Sequence, residues 1–116
     1  MFKRKSKRKF GRETKQRKSL MRGLAAALIA HNQIETTQAK AKELRPYIEK
    51  MVTMGRVSSL ASTKLLHSRL PKTAATKLIK DIAPKFAQRA GGYTRIRNLA
   101  PRVSDGAKMA IIEFLS

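Results

Sequence analysis

The sequence predicts an α+β fold: a two-layer α/β domain in the order α-β-α-α-α-β-β, with a small three-stranded mixed sheet and a basic N-terminal extension. Three observations predict it. Apolar residues recur at helical spacing between Thr14 and Ile82, the period changes to two after Gly91-Gly92, and a β-branched segment, QIETT at 33–37, interrupts the helical stretch early. A length of 116 residues suits one domain. We divide it into a basic arm, residues 1–13, and a body, residues 14–116.

The opening MFKRKSKRKFGR cannot bury enough apolar surface to offset its ordering entropy, so it reads as disordered when free and ordered only on a target. Leu20, Leu24 and Leu28, with Met21, Ala25 and Ile29 beside them, then predict a first helix over about 15–31. Thr14 is its expected N-cap and Asn32 its left-handed terminator. Lys15, Lys18 and Arg22 share a face next to the apolar stripe.

QIETT supplies a short strand, and Thr36 or Thr37 caps a second helix from Gln38 to about Met54, with Leu44, Tyr47, Ile48, Met51 and Val52 as its apolar stripe. Lys40, Lys42, Glu43 and Glu49 lie off that stripe or at its margin. Pro46 predicts a kink or a boundary shift, and Gly55 is expected to end the helix. Ser58 or Ser59 then caps a third helix with Leu60, Leu65, Leu66 and Leu70 inward, closed by Pro71. A fourth, carrying Ala74, Ala75, Leu78, Ile79 and Ile82, is expected to stop before Pro84, because the residue preceding a proline avoids helical dihedrals. Beyond Gly91-Gly92, YTRIRNL at 93–99 alternates, with Ile96 on one face and Arg95 and Arg97 on the other. KMAIIEFL at 108–115 is the more buried strand of the same hairpin. QIETT completes the sheet, since two strands alone are marginal.

Charge dominates the composition. Lys plus Arg number 27 against 7 Asp plus Glu, a net of +20 on a chain that is 41% hydrophobic. Such a chain can build a core but repels itself, and a polyanion would relieve the repulsion. The charge is also uneven: residues 1–22 carry eleven cations and a single acid, Glu13, a local net of +10. A secretory signal is disfavoured although LAAALIA follows a basic start, because the basic region is too long, Arg22 interrupts it and the body lacks cysteine; a Lys-heavy, Ser-poor start likewise argues against a mitochondrial presequence. The absence of cysteine excludes disulfides and thiolate metal sites and suits an intracellular protein. No apolar run reaches the roughly 18 residues of a membrane span, so no membrane partner is expected.

Material for catalysis is sparse. His31 reads as a helix-end residue and His67 as exposed, the seven acids show no paired spacing, and the glycine pair matches neither GxGxxG nor a Walker loop. We therefore expect no enzyme, no metal, no cofactor and no small-molecule substrate. Nucleic acid is the partner that fits. Neutralising about eight phosphates would give a log–log salt slope near −7 on duplex without any base reading. With 5% aromatic residues there are few stacking platforms, and no zinc finger, basic zipper or aromatic ribonucleoprotein motif is present. A basic arm on a basic body suits insertion between RNA helices, where shape and phosphate geometry are read. A nucleoid-type DNA-bending protein and a metal-dependent nuclease are the readings of other classes.

Three stretches resemble a known family. They are R-x-T-x-x-R-x-x-L-x-R (Arg12, Thr14, Arg17, Leu20, Arg22) leading to His31; IETTQAKAKELR (Ile34 to Arg45) followed by Glu49; and FAQRAGGYTRI (Phe86 to Ile96). The chain resembles the bacterial large-subunit ribosomal protein seventeen family from Met1 to about Ile34 and through much of the rest, with 57–77 the least similar part. It departs at Phe2-Lys3, where the family commonly has Arg-His, and at Lys7, where glycine is frequent.

The resemblance implies a cytoplasmic structural component of the large ribosomal subunit that binds large-subunit ribosomal RNA beside neighbouring ribosomal proteins near the peptide exit side. It carries RNA contact onto Arg4, Lys5, Arg8, Arg12, Arg17 and Arg22, and onto Arg89 and Arg95 flanking the glycine pair. Lys3, Lys7, Lys9, Lys15 and Lys18 belong to the same basic run, and Lys40, Lys42 and Arg97 complete the expected RNA-binding set.

Overall fold

A computed structural model describes residues 14–57 and 59–115. The order is α1 (Thr14–His31), β1 (Gln33–Thr37), α2 (Gln38–Val57), α3 (Leu60–Arg69), α4 (Lys72–Lys77) with its irregular continuation, β2 (Thr94–Asn98) and β3 (Met109–Phe114). Helices form one layer and the sheet the other, as expected for the two-layer class.

Helix α1 buries Met21, Ala25, Leu28 and Ile29, the i, i+4, i+7, i+8 stripe of an amphipathic helix. Thr14 is itself helical, not the non-helical cap expected from the sequence. Termination is as expected: Asn32 takes φ 67° and its N–H donates to the Leu28 carbonyl at 2.7 Å. Lys77 Nζ donates to the Ala30 carbonyl at 2.9 Å and satisfies another open end of the same helix.

The Thr37 hydroxyl caps α2 by accepting the Lys40 N–H at 3.3 Å. Neither Pro46 nor Gly55 interrupts this helix. Pro46 is exposed, so the Lys42 carbonyl that it leaves without a donor lies on the solvent side. Gly55 is buried, and a Cβ placed there would stand 3.1 Å from Ala83 Cβ. Its smallness serves close approach of α2 to the 83–86 turn and does not end the helix, which runs on to Val57.

Ser59 caps α3 by accepting the Ser62 N–H at 3.0 Å. Only Leu66 within α3 is buried; Leu60 and Leu65 face solvent, contrary to the expected stripe, because this short helix touches the core along one row. The fourth helix also departs from expectation. After α4 the chain widens into a π turn (Leu78–Ile82) and tightens into a 3-10 turn (Ala83–Phe86) that includes Pro84. Ala83 keeps helical dihedrals, and its N–H reaches back to the Leu78 carbonyl. The change of helix type puts Pro84 at the start of a new turn, where its missing N–H costs nothing.

The sheet has the order β1-β3-β2. Both pairings are antiparallel, which corrects the mixed sheet expected from the sequence. β1 and β2 do run the same way, but β3, the most apolar strand, takes the centre between them, and no parallel pair is hydrogen-bonded. The register sets Ile34, Ile112 and Ile96 side by side on the inner face, with Thr36 and Ala110 next to them. This face meets the core formed by Leu28, Leu44, Ile48, Leu66 and Leu78. Phe86 joins the layers, its ring 5.2 Å from that of Tyr93 and 6.3 Å from that of Phe114.

Candidate nucleic-acid interface

The cations of α1 divide between two tasks. Lys15, Lys18 and Arg22 are exposed, the last with its guanidinium 3.4 Å from the Ser68 carbonyl. Arg17 turns inward and bonds Glu43 of α2 at 2.8 Å, where both side chains are about one-fifth exposed, 23% and 20%. Arg17 therefore ties two helices together as well as carrying charge. Lys3, Arg4, Lys5, Lys7, Arg8, Lys9 and Arg12 lie outside the described residues.

Arg17 also lines a cleft of about 290 Å³ between α1, α2 and the end of α3, with Tyr47, Lys50 and Arg69. Tyr47 donates its hydroxyl to the Arg69 carbonyl at 3.2 Å, and burial raises its pKa above the ordinary 10.0 against the opposing pull of Arg22 and Arg69. The sequence reading did not include Lys50 and Arg69, because residues so far apart in the chain meet only through helix packing. Lys42, exposed on α2, shares a hollow with Lys108 in the same manner, while Lys40 is half-buried.

The glycine pair is held from α2. Glu49 Oε1 accepts the Gly92 N–H at 3.0 Å, and Oε2 accepts the N–H groups of Tyr93 at 3.0 Å and Thr94 at 3.1 Å and the Thr94 hydroxyl at 2.9 Å. Gly92 has φ 65°, a conformation that favours glycine. Arg89, exposed, donates Nη1 to the Gly92 carbonyl at 2.9 Å. The Tyr93 hydroxyl accepts from Arg56 Nη1 at 3.0 Å and contacts Thr53 Oγ1 at 3.1 Å, while Arg56 Nη2 reaches the Ala87 carbonyl at 3.1 Å. The second and third of the sequence stretches that carry the family resemblance thus form one hydrogen-bonded unit.

The outer face of the sheet carries Arg95 and Arg97 beside Glu113. Arg95 donates Nε and Nη2 to Glu113 Oε2 at 2.8 and 2.6 Å; Arg97 donates Nε to Oε2 at 3.2 Å and Nη2 to Oε1 at 3.4 Å. The Arg95 hydrogen bond, aided by Arg97 and opposed by desolvation, holds the Glu113 carboxyl below the usual glutamate value. In the β2–β3 loop Arg102 makes a two-pronged pair with Asp105 at 3.0 and 3.1 Å, which likewise lowers the Asp105 pKa.

Every ion pair among the described residues uses an arginine. Glu43, Glu49 and Glu113 are held in the fold by arginines and backbone N–H groups, Glu35 and Asp81 stay exposed, and Lys15, Lys18, Lys42 and Lys50 face solvent outside any ion pair among the described residues. That division suits a polyanion, which lysine meets as a point charge. Among the described residues no group of three or more His, Asp or Glu side chains could hold a metal ion. No helix there is long and apolar enough to cross a membrane.

Comparison with known proteins agrees with these features. The family model described as "Ribosomal protein L17" matches residues 20–115. The chain is 47% identical over 116 residues to the large ribosomal subunit protein bL17 of Shouchella clausii, covering 92% of this chain and 97% of the relative. It is 50% identical over 109 residues to bL17 of Helicobacter acinonychis, with 93% and 94% covered. For bL17 of Gemmatimonas aurantiaca the identity is 47% over 113 residues, with 97% and 96% covered. A family model matched over most of the body, together with identities near one-half along almost the whole chain, shows that the chain belongs to the ribosomal protein L17 family.

Proposed function

We propose that the chain is a structural component of the large subunit of the bacterial cytoplasmic ribosome, and that it binds large-subunit ribosomal RNA through the arm of residues 1–13 and the exposed face of α1. The family is one of ribosomal proteins, not enzymes, and the relatives are named as large-subunit proteins. One observation carries the RNA reading: residues 1–22 hold a local net of +10 that includes Lys15, Lys18 and Arg22 on the exposed surface of a folded helix, while Glu43, Glu49 and Glu113 are engaged within the body by arginines and backbone N–H groups. Arm and helix then act together, the helix fixing the direction from which the arm enters the RNA. Neighbouring large-subunit proteins near the peptide exit side are the remaining partners of this reading.

The test is binding of the full chain to transcripts of large-subunit ribosomal RNA across a salt series. The expected result is tight, steeply salt-dependent binding with a log–log slope near −7 for about eight phosphates, and preference over duplex DNA of equal length. Equal affinity for unrelated DNA duplexes, accompanied by bending, would favour an architectural DNA-binding protein instead.

A further inference from the structure

We infer that Arg95, Arg97 and Glu113 form a clamp for one phosphodiester of an RNA strand, with Glu113 as the positioning residue that holds the two guanidiniums ready. The inference rests on the proposed RNA-binding function and adds a site on the sheet, remote in sequence from the arm.

The register places Arg95 directly opposite Glu113, and Arg97, two residues along β2, on the same face. Glu113 is only 8% exposed, yet the arginine side chains that it binds are 60% and 48% exposed. The anion is thus sunk in the sheet and the cations project from it. Both arginines give Glu113 the edge formed by Nε and Nη2, which turns each Nη1 away from the carboxylate. Among the described residues neither Nη1 has another hydrogen-bond partner. Two cations sharing one carboxylate leave a net +1, which matches one phosphodiester. Two guanidinium edges side by side suit its two non-bridging oxygens, a recognition that lysine does not reproduce. Long side chains ordinarily lose rotamer freedom when they bind; here Glu113 has already fixed them.

The sign of one substitution separates this clamp from an ordinary surface ion pair. Removing a negative charge by Glu113→Gln raises affinity for a polyanion if only net charge matters. If Glu113 positions the arginines, affinity falls instead, by about three- to ten-fold. Binding of the full chain to a large-subunit ribosomal RNA transcript at fixed salt reads the difference, with a thermal melt of each variant alongside. The double variant Arg95→Lys with Arg97→Lys keeps the charge and removes the two-pronged geometry, and is expected to lose affinity similarly, so the test stands even if Glu113→Gln folds poorly. Binding of folded Glu113→Gln that equals or exceeds that of the unaltered chain would overturn the clamp, as would unaltered binding by the double lysine variant. If inorganic phosphate alone saturates the two arginines while Glu113→Gln leaves RNA affinity unchanged, the site is one for the free ion and the inference also fails. Failure of the unaltered chain itself to bind the transcript would bring down the ribosomal RNA reading, and this one with it.

Discussion

Glu49 and Thr94, far apart in the chain, are joined twice: one carboxylate oxygen accepts the Thr94 backbone N–H at 3.1 Å and its hydroxyl at 2.9 Å. The same carboxylate takes the N–H groups of Gly92 and Tyr93, so a single side chain of α2 fixes the entry to β2. Truncation leaves three backbone donors and a hydroxyl without their partner. Glu49→Ala is expected to destabilise the fold by about 3 kcal/mol, measured by denaturant unfolding. A loss below about 0.5 kcal/mol would mean that water replaces the carboxylate at little cost.

Arg17 is predicted to act on stability as well as on RNA. Its bond to Glu43 is partly buried, whereas Lys18 on the same helix is exposed. Arg17→Ala should lower stability by about 1 kcal/mol and also weaken RNA binding. Lys18→Ala should weaken binding alone. Equal melting temperatures for the two variants would contradict the division of roles.

Leu28 and Ile112 are fully buried on opposite sides of the core, one in α1 and one in the central strand. Truncation of either to alanine is expected to cost about 2 to 5 kcal/mol. Chemical denaturation of each variant gives the value directly.

Acid should weaken the outer face of the sheet. The Arg95 hydrogen bond sets the Glu113 pKa below its ordinary 4.5, so the unfolded chain takes up this proton at a higher pH than the folded one. The contribution to stability is present above the unfolded value and lost as pH falls through the folded one. NMR titration should find the Glu113 midpoint below 4.5 and move it upward in Arg95→Ala. A midpoint unaffected by that substitution would show that the arginine does not set it.

The parts of this fold legible in the sequence were those governed by local period. The α1 stripe, the left-handed Asn32, the Ser59 cap and the strands at 33–37 and 109–114 all follow from neighbours within a few residues. Gly55 and Pro84 were misleading because their roles depend on what packs against them: Gly55 admits Ala83, and Pro84 sits at a change of helix type. Leu60 and Leu65 match a helical stripe, yet they face solvent because α3 meets the core through Leu66 alone. The basic residues were all visible as charges. Which of them is engaged within the fold was not, since Glu43, Glu49 and Glu113 accept their hydrogen bonds across 16 or more positions, distances that no sequence period encodes.

The central claim is that the cations leading into and along α1 meet ribosomal RNA, and crosslinking mass spectrometry on intact large subunits tests it most directly. The prediction is RNA crosslinks concentrated in residues 3–22, with Lys15, Lys18 and Arg22 among them. Large subunits that contain the chain but crosslink to RNA only elsewhere, with the lysines of this segment open to solvent reagents, would contradict it.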